Sequence, residues 1–136
     1  MNRYVIDASA AAEFLLRTPV GEKVSELIDG ALLFAPGLLD VEVLSVLRRA
    51  ILRRELTEAR ALLAIEDLID WAVHRIQNNL LLWAAWQHRK NVTAYDGFYV
   101  AVAQICNAEL LTVDGPLSRA PSLGIAVRNV RLGPRP

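Results

Sequence analysis

At 136 residues, with 15 basic and 15 acidic side chains, the chain is sized for one domain and carries no net charge. No overall field therefore draws in a polyanion, and attraction for nucleic acid must come from a local basic patch or from bound cations. The lone Cys106 excludes an internal disulfide and fits a reducing, cytoplasmic compartment, while His74 and His88 are too few and too far apart in sequence for a zinc-type cluster. A hydrophobic fraction of 54% exceeds the ~45–50% usual in soluble domains. That excess predicts a sheet covered on both faces and a further apolar surface covered by a partner.

The first predicted element is a short buried strand, Tyr4-Val5-Ile6, ending on Asp7 and followed by an alanine-rich helix over residues 8–16. Asp7 and Glu13 interrupt this apolar run, so it does not read as a secretion signal. Thr18-Pro19 stops the helix, because a residue before proline avoids the helical region. Val20, Val24, Leu27 and Ile28 then share one face of a second helix, closed by Gly30. Residues 32–35, stopped by Pro36, predict a second strand; helices follow over 38–54 and 58–73, the latter capped by Thr57. Residues 73–76 predict an edge strand. Asn78 or Asn79 starts a helix carrying Trp83 and Trp86, whose apolar window is too short to span a bilayer; core packing is expected for these tryptophans, with one of them lining an interface as the alternative. Thr93 starts a helix reaching about residue 107, and residues 110–113 and 126–130 predict the last two strands. Strands alternating with helices predict an α/β domain with a mostly parallel sheet of four to five strands over residues 1–132, with 133–136 as a loose tail.

Four acids stand out against this frame. Asp7 and Asp114 each follow a short apolar strand, and in doubly wound sheets ligands bind outside the carboxyl ends of strands, where the winding reverses. Turn and cap formation explain them equally well one at a time, Asp114-Gly115-Pro116 being a turn signal by itself. Glu42 sits in an apolar helix and shares a face with Leu38, Leu39, Ser45, Val46, Arg49 and Arg53, so its charge needs a hydrogen bond, an ion partner or a metal. Asp96 follows Thr93 in a capping-box spacing, yet leads a helix apolar almost all round. Acids converging on one crevice repel one another and need cations to coexist ionised. Oxygen-only ligation suits Mg²⁺ or Mn²⁺, ions that activate water and stabilise the leaving oxygen in phosphodiester hydrolysis.

Tyr4-Val5-Ile6-Asp7-Ala8-Ser9, the internal Glu42, the run Tyr95-Asp96-Gly97-Phe98-Tyr99-Val100-Ala101-Val102-Ala103, and Leu111-Thr112-Val113-Asp114 resemble, in order and spacing, the signature blocks of PIN domains, in particular the VapC toxins of toxin–antitoxin pairs. The resemblance covers nearly the full length. It implies a three-layer α/β/α fold and an endoribonuclease dependent on Mg²⁺ or Mn²⁺. It places Asp7, Glu42, Asp96 and Asp114 on the family's acidic quartet, and Ser9 and Thr112 on hydroxyl positions that orient ligands or water. A homodimer and a small antitoxin that reaches the acidic site are implied as well. Two positions depart from the pattern: Gly97 stands where a helix former is common, and Gly115-Pro116 where a basic or polar pair is frequent.

Arg49 and Arg53, on the Glu42 face, are candidate contacts for RNA phosphates or for an acidic stretch of antitoxin, with a solvated helix face as the alternative. His74 and His88 read as surface or structural residues and Cys106 as a buried small hydrophobe. No P-loop and no G-x-S-x-G elbow is present, so neither nucleotide hydrolysis nor a serine nucleophile is supported. A phosphatase using Asp7 as nucleophile is disfavoured because no second aspartate follows at residue 9. A PIN-like module that binds RNA or protein without cutting is the remaining alternative.

Overall fold

The computed structural model describes residues 1–120 and 123–132. Its elements run β1 (Arg3–Ile6), α1 (Ala8–Leu15), α2 (Pro19–Ile28), β2 (Leu32–Pro36), α3 (Leu38–Leu52), α4 (Glu58–Asp70), β3 (His74–Ile76), a 3-10 turn at Asn78–Leu81, α5 (Leu82–Trp86), α6 (Ala94–Cys106), β4 (Glu109–Thr112), α7 (Gly115–Ser118) and β5 (Val127–Asn129), with a last 3-10 turn at Val130–Leu132. The tail expected at residues 133–136 lies outside the described residues.

The five strands form one sheet in the order β3-β2-β1-β4-β5, every neighbouring pair parallel. β1 is central: Tyr4 pairs with Leu33 of β2 on one side and Glu109 of β4 on the other. Val5, Ile6, Leu110 and Leu111 are fully buried, as expected of strands covered on both faces, which carry continuous apolar runs rather than an alternating pattern. α6 lies across β2, β1 and β4 with α5 packed on it, while α1, α2, α3 and α4 pack among themselves. The result is the α/β/α layering, with β3 as the expected edge strand.

Side-chain caps start four of the helices, those at Thr57 and Thr93 where the sequence places them. Asp7, Thr18, Thr57 and Thr93 each accept from a backbone N–H of the following first turn. Asn107 closes α6 in the left-handed region at φ 49°. Asp40, in the first turn of α3, takes Arg75 Nε at 2.9 and 3.0 Å on its two oxygens, and Arg75 Nη2 donates to Leu68 O at 2.8 Å. This clamp ties α3 to β3 and the end of α4. It commits Asp40 to structure.

The structure corrects the sequence reading at several points. Trp83 and Trp86 are 83% and 58% exposed rather than core residues. The helix expected from Asn78 opens instead as a 3-10 turn, and the α-helical stretch is only five residues long. Leu81 and Ala85 take its inward positions, which turns Leu82, Trp83 and Trp86 outward. Trp86 carries the Arg89 guanidinium over its ring at 4.9 Å. Cys106 is only partly buried, because it lies in the last turn of α6. β4 ends at Thr112, so Asp114 stands two residues past the strand instead of directly on its end. Gly97, which costs helix propensity, has a packing reason. A Cβ there would stand 3.1 Å from Ala85 O, and its absence lets α5 and α6 close on one another.

Candidate active site

The chain leaves β1 towards β2 and β3 on one side and later returns to β4 and β5 on the other, so the carboxyl ends of β1 and β4 flank the point where the winding reverses. A cleft of about 660 Å³ opens there, walled by Asp7, Ala8 and Ser9 after β1, by Glu42, Ser45, Val46 and Arg49 of α3, by Tyr95, Asp96 and Tyr99 of α6, and by Asp114 after β4. All four acids singled out from the sequence line it. No two of them come from the same element.

Asp7 is the most enclosed. It is 5% exposed, and its Oδ1 accepts from the Ala10 N–H at 3.0 Å and the Ser9 hydroxyl at 2.7 Å. Burial raises its pKa to about 6; hydrogen bonds from Thr112, Ala10 and Ser9 oppose the shift, and the charge of Asp96 adds to it. The fully buried Thr112 hydroxyl stands 3.3 Å from Ser9 Oγ and accepts from the Asp114 N–H at 2.9 Å, while the Val113 N–H donates to Ser9 Oγ at 3.1 Å. Ser9 and Thr112 thus stitch the end of β1 to the segment carrying Asp114. Ser9 meets the Asp7 carboxylate itself, whereas the Thr112 hydroxyl meets the backbone N–H of Asp114.

Asp96 lies in the first turn of α6, where the Thr93 hydroxyl oxygen accepts from its N–H at 3.2 Å. The reciprocal bond of a full capping box, from the Thr93 N–H, is not made among the described residues. Burial raises the Asp96 pKa, and the charges of Asp114 and then Glu42 raise it further. Asp114 is the N-cap residue of the short α7 but makes no side-chain cap bond. Its carboxylate is therefore not committed to the turn that Gly115-Pro116 forms.

Glu42 finds the partner its apolar surroundings require, although the helix is less enclosed than its composition suggests: Val41 and Leu44 are exposed. Oε1 accepts from the Tyr99 hydroxyl at 2.6 Å. Tyr99 itself is 2% exposed, and burial, with the Glu42 contact next, raises its pKa and keeps the phenol a proton donor. Sequence reasoning missed Tyr99 because a tyrosine inside an apolar helix reads as core. The available signal was its spacing, three residues after Asp96 and on the same helical face. Arg49 lines the cleft; Arg53 is exposed at the C-cap of α3 and lies outside the lining.

Among the described residues, no three His, Cys, Asp or Glu side chains already converge as a metal-binding group. The four carboxylates are spread around the cleft instead. An oxygen-only donor set, with Asp7 and Asp96 raised first by burial and then by neighbouring acids, is nonetheless the chemistry that a hard divalent cation satisfies. A second cleft of about 520 Å³, between α1, α2 and α4, is lined by Phe14, Trp71 and the ion-paired Arg17 and Asp67, and holds none of these four acids. Among the described residues, no helix is long and apolar enough to cross a membrane.

The profile of the PIN domain family matches residues 4–123. Ribonuclease VapC1 of Mycobacterium tuberculosis is 37% identical, covering 96% of this chain and 100% of its own length. Ribonuclease VapC12 of the same organism is 34% identical over 85% of this chain and 90% of its own. Among solved structures, PAE2754 from Pyrobaculum aerophilum superposes with a TM-score of 0.64 at 19% identity, covering 96% of this chain and 93% of that one. VapBC2 from Rickettsia felis, bound to a DNA fragment from its promoter, gives a TM-score of 0.55 at 13% identity over 93% and 97%. These two likenesses support the fold. With the profile spanning nearly the whole described chain and two relatives above one-third identity, the chain belongs to the PIN domain family and, within it, to the VapC group.

Proposed function

We propose that this protein is a divalent-metal-dependent endoribonuclease acting in the cytoplasm as the toxin of a toxin–antitoxin pair. The observation that carries the reading is the convergence of Asp7, Glu42, Asp96 and Asp114, from four separate elements, on one cleft at the switch point of the sheet. The name ribonuclease on relatives matched over most of their length supports RNA as substrate.

In this reading Asp7, Asp96 and Asp114, with Glu42, hold Mg²⁺ or Mn²⁺. When bound, the cation supplies activation of water and neutralisation of the charge that develops on the scissile phosphate. The chain's own groups prepare the site. Ser9 and the Ala10 N–H fix the Asp7 carboxylate from behind. Tyr99 donates to one Glu42 oxygen and so directs the other. Thr112 and Ser9 hold the backbone at residues 113 and 114, which sets where Asp114 stands. Such outer hydrogen bonds fix ligand orientation before substrate arrives. Arg49 on the α3 wall offers a bidentate donor to an RNA phosphate.

The same reading includes a homodimer and an antitoxin that covers the cleft. Its support is the exposed apolar surface: Val41 and Leu44 on α3, with Leu80, Leu82, Trp83 and Trp86 along the 3-10 turn and α5. The test is cleavage of RNA by protein freed of any partner. Cutting is expected with Mg²⁺ or Mn²⁺, and is expected to stop with EDTA or in Asp7→Asn. Cleavage that persists in EDTA overturns the mechanism.

A further inference from the structure

Gly115-Pro116 puts no charge directly after Asp114, and the first cation beyond it is Arg119. Arg119 closes α7: its backbone N–H donates to Gly115 O at 3.0 Å, and its side chain folds back over Gly115. A Cβ added at Gly115 would overlap Arg119 Nη1 and stand 3.1 Å from Cζ. The guanidinium thus lies against Gly115, the residue that follows Asp114, as the free end of a flexible, exposed side chain. Arg119 makes no ion pair among the described residues.

The platform beneath it is fixed. Ser118 Oγ donates to Gly115 O at 2.8 Å, and Asn129 Nδ2, from the buried end of β5, donates to Ser118 Oγ at 3.3 Å. Topology then gives the position meaning. α3, carrying Arg49, follows β2, and α7 follows β4; β2 and β4 flank β1, whose end carries Asp7. The helices carrying Arg49 and Arg119 thus follow strands on opposite sides of β1; Arg49 lines the cleft, and Arg119 lies outside its lining, against Gly115 next to Asp114. The chain has no net charge, and its acidic cleft repels phosphates, so cations on both sides are what a polyanionic strand crossing the carboxyl edge of the sheet requires.

We propose that Arg119 is an RNA-phosphate contact on the β4 side of the cleft. The inference rests on the ribonuclease reading and adds the path of the strand: across the edge of the sheet from Arg49, over the acids, to Arg119.

The experiment measures binding of a fluorescein-labelled single-stranded RNA dodecamer of mixed sequence, by anisotropy across a salt series in Mg²⁺. The full-length protein carries Asp7→Asn to stop cleavage. One lost phosphate contact on a single strand lowers the slope of log affinity against log salt by about 0.7, which corresponds to about fivefold weaker binding near 0.1 M salt. Arg119→Gln is expected to show both changes, and Arg119→Lys to keep the slope. Arg17→Gln, which removes the Asp67 ion pair beside the other cleft, is the control expected to change neither. An unchanged affinity and slope in Arg119→Gln overturns this inference while metal-dependent cleavage by the wild type upholds the ribonuclease reading. A wild type that neither cuts nor binds RNA overturns both.

Discussion

Replacing Tyr99 by phenylalanine removes one hydroxyl and little else. The ring stays in its buried slot on α6, no sizeable cavity opens, and the change acts on one contact, the 2.6 Å bond to Glu42 Oε1. A hydrogen bond to a charged acceptor is worth about 1.5–3 kcal/mol. If Glu42 needs that bond to hold its place in the reacting complex, the full amount appears in the barrier. At ~1.4 kcal/mol per tenfold, kcat/KM falls by about 10- to 150-fold. Thermal stability should move little, since the partner left behind is a partly exposed carboxylate that water can reach. The assay is initial-rate cleavage of a fluorogenic RNA over a Mn²⁺ titration, with thermal melting of the same samples. Higher Mn²⁺ should recover part of the Tyr99→Phe loss, because a looser carboxylate weakens metal affinity before it abolishes it. A variant that melts like wild type and cleaves within twofold of it at every Mn²⁺ concentration refutes the positioning role.

Three more outcomes follow from the geometry. Asp7 has its pKa raised by burial from 3.8 to about 6, so the folded protein binds more protons than the unfolded chain between those values. Metal-free protein should therefore lose stability as pH rises through this window, by at most about 3 kcal/mol. Asp7→Asn in EDTA should flatten that loss, and melts in EDTA that rise from pH 4.5 to 6.5 with the wild type above the variant would contradict the assignment. Gly97→Ala gains up to about 1 kcal/mol of helix propensity but forces a Cβ to 3.1 Å from Ala85 O; overpacking costs of about 1–3 kcal/mol should win, and urea melts showing a stabilised variant would refute the close α5–α6 approach. Trp83→Glu, at a site 83% exposed, should leave monomer stability within about 0.5 kcal/mol. It should also shift sedimentation towards monomer if the α5 face is the dimer contact; an unchanged dimer places the contact elsewhere.

Most of the frame was legible because its signals are local. The uninterrupted apolar runs at Val5-Ile6 and Leu110-Leu111 announce strands covered on both faces, and Thr57 and Thr93 announce helix starts two to three residues from where their side chains bind. Asp7 and Asp96 were visible as acids leading into buried elements. Glu42 was visible as a charge in an apolar helix, and the partner its setting calls for is the Tyr99 hydroxyl. What stayed hidden depends on three-dimensional context. Tyr99 looks like core until the Glu42 carboxylate is placed against its hydroxyl, 57 residues away in sequence. The tryptophans of α5 follow from a 3-10 turn that rotates the helix by a fraction of a turn, which an apolar count over residues 80–86 cannot register. Gly97 reads in the sequence as a weak point of its helix, and the close approach of the Ala85 carbonyl supplies its reason.

The central claim is that four acids from four elements act as one cation site, and its most direct measure is Mn²⁺ binding followed by the loss of free-ion paramagnetic resonance. Wild-type protein should bind saturably at neutral pH, and Asp7→Asn, Glu42→Gln, Asp96→Asn and Asp114→Asn should each weaken that binding by at least about tenfold. Wild-type affinity retained in Asp7→Asn and Asp96→Asn, with both variants folded, would contradict the account.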